Sequence, residues 1–197
     1  MKTNTSKIRL ALFASGTGSN VFNIISHFKD HPFVEVSIVL SNKENAGALT
    51  HASNAKISNA AFTKGDFFES NVVLDILKTT EIDYIILAGF LWKIPQNILT
   101  NYEDKILNVH PSLLPKFGGK GMYGHHVHNA VLAQQETKTG ITVHKVNEKY
   151  DEGAIVAQFE CLIEPNEVLA TLQKKISKLE KDNFPITIEN YINKINN

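Results

Sequence analysis

Residues 9–20 read RLALFASGTGSN, an apolar run that ends in two glycines and a polar Ser-Asn pair. An unbroken apolar run bounded by turn residues is the mark of a strand buried on both faces, as parallel strands are. The pattern returns in EVSIVLSN (Glu35 to Asn42), DYIILAG (Asp83 to Gly89) and KILNVH (Lys105 to His110). Helical spacing fills the intervals. Ser19 to about Lys29 sets Val21, Ile24, Ile25 and Phe28 on one face, and Phe67 to Lys78 repeats this less cleanly through Phe68, Val72, Asp75 and Leu77. Strand and helix thus alternate over the first 110 or so residues. That order predicts an α/β fold, a doubly wound, mostly parallel sheet flanked by helices on both faces, with right-handed crossovers.

The second half has a different rhythm. A glycine-rich stretch, FGGKGMYG (117–124), precedes a helix around His126 to Gln135. GITVHKVNEKYDEGAIVAQFECLI (140–163) then reads as two strands joined by a polar turn. After Pro165 a helix carries Val168, Leu169, Leu172, Ile176 and Leu179, and Pro185 opens a last helix through Ile186, Ile188, Tyr191 and Ile192. One domain, from Lys7 to about Ile195, is expected.

Composition narrows the function classes. At 197 residues there is room for one ordinary domain. Twenty basic and twenty acidic side chains cancel, so no global field draws the chain to nucleic acid or an anionic membrane, and an anionic ligand must be met locally. With 43% apolar and 20% charged residues the chain can build a core and is not of disordered composition. A lone cysteine, Cys161, makes no intrachain disulfide and belongs to no CxxC motif, which fits a reducing cytoplasm. The polar start MKTNTSK does not read as a secretion signal, and the longest apolar stretch, YIILAGFLW, is far below a membrane span.

Two motifs carry chemistry. Gly16, Thr17, Gly18, Ser19 and Asn20 follow the first strand and open the first helix, where backbone can approach a ligand and unpaired N–H groups face an anion. A tight turn with Ser19 as N-cap is the plain alternative. Position in the fold favours a phosphate; the third glycine of a dinucleotide fingerprint is missing. In ILNVHP, Asn108 and His110 share a face at the carboxyl end of a strand, where open α/β sheets bind ligands. An amide that donates to a developing oxyanion beside an imidazole that moves a proton suits acyl-type transfer. A structural strand-end histidine is the competing reading. A carboxylate to orient the imidazole must come from NEKYDEGA, which offers Glu148, Asp151 and Glu152, and spacing does not choose among them. Thr142 and His144 share a face and suit a supporting role. No GxSxG elbow signals a covalent nucleophile, and the histidines from His125 to His128 lack the acidic companion of a metal motif, so no metal is expected.

FASGTGSN, LAGFLWKIP, ILNVHPSLLPKFGGKGMYG, TGITVHKVNEKYDEGAIVAQ and LEKDNFP together resemble the phosphoribosylglycinamide formyltransferases of the formyltransferase superfamily, over nearly the whole chain. The resemblance implies one Rossmann-like formyltransferase domain over residues 1–197, its N-terminal half binding phosphate and nucleotide, its C-terminal half binding folate and holding the catalytic groups. It implies direct transfer of formyl from 10-formyltetrahydrofolate to the amine of glycinamide ribonucleotide, in purine biosynthesis, by a cytoplasmic monomer or homodimer without metal. By the same resemblance Asn108 stabilises the oxyanion, His110 is the general acid, and Asp151 is the carboxylate that raises its pKa. Gly18, Ser19 and Asn20, within the 16–20 turn, cradle the substrate phosphate, and Glu180 takes the ribose hydroxyls. Leu91, Trp92, Lys93 and Ile94 read the pterin edge through backbone groups, closed over by Val146, Tyr150 and Asp151, with Asn108 also at the folate. Leu87, Ile98 and Ile106 serve as pocket wall or core. The chain departs from the commoner pattern where Trp92 and Lys93 replace arginine and an apolar residue, and where TKGDFFESN offers only Lys64 in place of an arginine. The Leu114–Pro115 bond is expected to be cis.

Overall fold

The computed structural model describes residues 7–196, and the polar start over residues 1–6 lies outside them. Two compact units divide the chain between Ile106 and Leu107.

In the first unit four strands pair in parallel in the order β3-β2-β1-β4: β1 (Ile8–Ala14), β2 (Val34–Ser41), β3 (Ser58–Ala61) and β4 (Tyr84–Leu87). Leu10 to Ala14 are all buried, without alternation, so helices cover both faces of β1. Helix α1 (Ser19–Phe28) packs with the predicted face, Val21, Ile24, Ile25 and Phe28. Helix α2 (Gly47–Asn54), built from small residues, and β3 carry no apolar stripe and are unsigned in the sequence. The helix predicted over Phe67 to Lys78 is two pieces. A π-helical turn spans Gly65–Glu69, the backbone extends at Ser70, and α3 (Val72–Thr79) begins afresh. The break shifts the phase, so Phe67, Val73, Leu74 and Leu77 are buried, while Phe68 and Val72 stay exposed. Short α4 (Gln96–Asn101) buries Ile98, and Leu87 and Ile106 also belong to the core.

The second unit is antiparallel: β5 (Ile106–His110) pairs with β6 (Lys138–Lys145), which pairs with β7 (Ile155–Leu162). Helix α5 (His125–Ala133) precedes β6. The two helices expected around Pro185 are one, α6 (Leu169–Asn196), with the proline inside it. Proline removes one helical N–H and crowds the preceding turn. The helix nonetheless runs through, because Leu172, Ile176, Phe184, Ile188 and Ile192 recur at multiples of four residues and are all buried. Packing of that stripe outweighs the break, and the side chains of Asn183 and Thr187 bond back to the carbonyls of Leu179 and Asn183.

Candidate active site

Strand β5 ends in Asn108 and His110 on one face, half-buried and 3% exposed respectively. His110 Nε2 donates to the Phe117 carbonyl at 2.8 Å, and its Nδ1 lies 3.4 Å from Asp151 Oδ2. Of the three carboxylates in the polar turn, Asp151 is therefore the one at the imidazole. A protonated ring would have both N–H groups aimed at acceptors. Burial opposes that cation and prevails, so His110 sits below the ordinary histidine value although Asp151 and the Phe117 carbonyl push it up; His144 adds to the lowering. The raised value implied by the resemblance is thus met in the direction of Asp151's influence and reversed in the net. Burial pushes Asp151 up as well, but His144, His110 and the Gly119 N–H together hold it below the usual carboxylate range.

His144 Nδ1 donates to the Lys145 carbonyl at 2.8 Å, so in the neutral ring Nε2 is an acceptor. In that state it takes one hydrogen of Asn108 Nδ2 at 3.1 Å; in the protonated ring the same nitrogen carries a proton facing Asp151 Oδ1 at 3.6 Å, the contact through which His144 lowers the pKa of Asp151. The second hydrogen of that amide has no acceptor among the described residues. Thr142 supports the turn after β5. Its hydroxyl donates to the Ser112 carbonyl at 2.7 Å and accepts from Leu114 N and Gln158 Nε2. Gln158 also donates to the Leu114 carbonyl, and Leu114–Pro115 is cis.

The loop bearing Asp151 is tightly made. Asp151 adopts φ 57°, and a Cβ on Gly153 would stand 1.8 Å from the Lys145 carbonyl oxygen, so glycine alone fits there. From the other side Gly119 N donates to Asp151 Oδ2 at 2.9 Å. Gln158, Gly119 N and the Phe117 carbonyl escaped the sequence reading, since main-chain groups carry no side-chain signal and Gln158 is 44 residues from its partner Leu114.

The first unit holds the expected 16–20 turn and the 91–94 loop, and the second unit the remaining expected residues Val146, Tyr150 and Glu180. Gly18 is the N-cap of α1, at φ 82°, and no side chain caps the helix; Ser19 is its first residue, not its N-cap. A Cβ on Gly18 would meet Ala48 Cα at 2.5 Å, so the turn is pressed against α2. Gly16, Thr17 and Ser19 are exposed and Asn20 is buried, which leaves a helix N-terminus open to an anion. Ser15 N donates to the Gly89 carbonyl at 3.0 Å and Ser15 Oγ accepts from Leu91 N at 3.0 Å, tying this turn to the loop of Leu91, Trp92, Lys93 and Ile94. Ile94 is buried in that loop and Leu91 is exposed. Tyr150 is exposed, Val146 half-buried, and Glu180 half-buried on α6. Among the described residues no group of three or more His, Cys, Asp or Glu side chains is arranged to hold a metal ion, and no helix is long and apolar enough to cross a membrane.

A parallel α/β unit with an open helix N-terminus, followed by a strand-end amide, imidazole and carboxylate, defines the class. The chain belongs to the formyl transferase family, whose pattern matches residues 8–188. Among its relatives, phosphoribosylglycinamide formyltransferase of Haemophilus influenzae is 32% identical over 187 residues, covering 92% of this chain and 85% of that protein. The chloroplastic phosphoribosylglycinamide formyltransferase of Arabidopsis thaliana is 36% identical over 174 residues, 85% of this chain, and the chain spans 60% of its length. The crystal structure of phosphoribosylglycinamide formyltransferase from Bacillus halodurans superposes with a TM-score of 0.82 at 33% identity, over 91% of this chain and 93% of that one.

Proposed function

We propose that the protein transfers the formyl group of 10-formyltetrahydrofolate to the amine of glycinamide ribonucleotide, a step of purine biosynthesis, in the cytoplasm. The observation that carries the reading is the cluster at the end of β5, an Asn108 amide with one hydrogen uncommitted, a buried His110 and Asp151 at 3.4 Å. Attack of the amine on the formyl carbon builds negative charge on its oxygen. Asn108 donates to that oxygen, the protonated His110 stabilises it and delivers its proton to the departing folate nitrogen, the proton shed by the attacking amine returns to the imidazole, and Asp151 orients the ring. Transfer is direct, with neither a covalent enzyme intermediate nor a metal. The open turn at Gly16 to Asn20 takes the substrate phosphate and Glu180 the ribose hydroxyls. Leu91 to Ile94, Val146 and Tyr150 take the folate. Only these two small molecules are needed, with the protein as monomer or homodimer.

The test mixes purified protein with glycinamide ribonucleotide and 10-formyl-5,8-dideazafolate and follows the deformylated product by absorbance. Turnover that needs the nucleotide and collapses in His110→Ala supports the reading; a protein that binds the folate and never turns over sinks it.

A further inference from the structure

The three strands of the second unit align a polar row. In their register His110 of β5 stands opposite Thr142 of β6, and Thr142 opposite Gln158 of β7. Residues directly opposite in an antiparallel pair share a face, so imidazole, hydroxyl and amide lie side by side. Thr142 is fully buried, whereas Gln158, on the outermost of the three strands, is exposed. Gln158 nonetheless turns both hydrogens of Nε2 inward, to the Leu114 carbonyl and to Thr142 Oγ1, each at 2.9 Å.

The turn after β5 is pegged to this row by side chains. Thr142 gives its one hydroxyl hydrogen to the Ser112 carbonyl and fills both lone pairs with the Leu114 N–H and the Gln158 amide, which exhausts its bonding capacity. Ser112, also fully buried, donates to the Lys116 carbonyl at 2.7 Å. Phe117 comes next at a left-handed φ of 59°, a state that a bulky residue keeps only where its surroundings impose it. Its carbonyl is the acceptor for His110 Nε2, and two residues further on the Gly119 N–H reaches Asp151 Oδ2. The turn thus splints both members of the His110–Asp151 pair, and its near end is fastened by an amide from the far strand. We propose that Gln158 is a positioning residue: by fixing the Leu114 carbonyl and the Thr142 hydroxyl it sets where the Phe117 carbonyl stands, and so holds the orientation of the His110 ring. The inference deepens the proposed reaction and rests on it for its kinetic consequences alone.

Gln158→Met keeps the length of the side chain and removes both N–H groups; Gln158→Ala removes the reach as well, at an exposed position that tolerates truncation. In the unaltered protein the nitrogen NMR signals of His110 should show the Nε2–H tautomer of the neutral ring, fixed by the Phe117 carbonyl. In either variant that population should shift toward the Nδ1–H form, which faces Asp151. With glycinamide ribonucleotide and 10-formyl-5,8-dideazafolate, kcat should fall about tenfold to a hundredfold with neither KM moved. The Phe117 carbonyl favours the imidazolium, so a looser contact should also lower the His110 pKa and carry the alkaline limb of kcat/KM to lower pH. The titratable groups that face the ring, Asp151 from the β6–β7 turn, His144 from β6 and His128 from α5, are the same in both variants. An enzyme that transfers formyl, and whose variants keep the kcat, the alkaline limb and the His110 signals of the parent, overturns the positioning role and spares the reaction. So does a kcat that falls only in step with the urea midpoint while the His110 signals stay as they were. A His110 tautomer that changes with Gln158, in a protein that never transfers formyl, keeps the positioning role and sinks the reaction.

Discussion

Asn108 shows how one side chain gains a role from its neighbour. His144 fixes the amide by accepting one of its hydrogens, and in the proposed reaction the other is the donor for charge that appears only then. Such donors are worth about 3 kcal/mol, so Asn108→Ala should lower kcat roughly a hundredfold with little change in either KM, read by steady-state kinetics. Asp151 acts on His110 instead. Since it pushes the imidazole up against a stronger downward effect of burial, Asp151→Asn should lower the His110 pKa further and move the alkaline limb of kcat/KM to lower pH. A pH profile with that limb unmoved would break the pairing. Asn108 and His110 were legible because alternation along a strand puts residues two apart on one face. Asp151 was legible only through the family resemblance and not from spacing, since three acids within five residues look alike until a left-handed φ sets one of them apart.

At the scale of elements, the first turn depends on a residue without a side chain. Gly18→Ala would bring both an unfavourable φ and a 2.5 Å clash with α2, so it should cost about 2 kcal/mol in urea unfolding and raise the KM for the nucleotide. Strands β1 and β4 were legible as unbroken apolar runs because burial on two faces leaves no polar alternation, and β2 and β5 as apolar runs carrying polar residues at alternate positions. Strand β3, SNAA, is nearly all exposed, and α2 is made of residues too small to draw a stripe, so neither had a signal to give. Pro185 misled for a different reason. Local chemistry argued for a boundary, and a buried stripe continuing past it at 184, 188 and 192 decided otherwise.

For the whole molecule, buried histidines tie stability to pH. His110 and His128 both lie below their ordinary 6.5, so the unfolded chain takes up protons first. Their contribution is complete above 6.5 and is lost as pH falls toward the folded values. Asp151 is also depressed, and its share, present above 3.8, disappears at lower pH still. The urea midpoint should therefore decline steadily on acidification from pH about 6.5, with a shallower slope in His128→Gln. A midpoint that rises on acidification would contradict this account. One feature of the second unit also bears on how such a chain tolerates change. The segment after β5 serves the site through the carbonyls of Lys116 and Phe117 and the N–H of Gly119, groups that nearly every amino acid possesses. At Lys116 and Phe117 the length therefore matters more than the letter: exchanging either side chain preserves the acceptor, whereas inserting a single residue between His110 and Gly119 displaces every one of these contacts. Two letters are fixed nonetheless: a Cβ on Gly118 would stand 2.6 Å from Leu114 Cδ2, and Gly119 takes φ 99°, so glycine is held at both by shape and at neither by a side-chain contact.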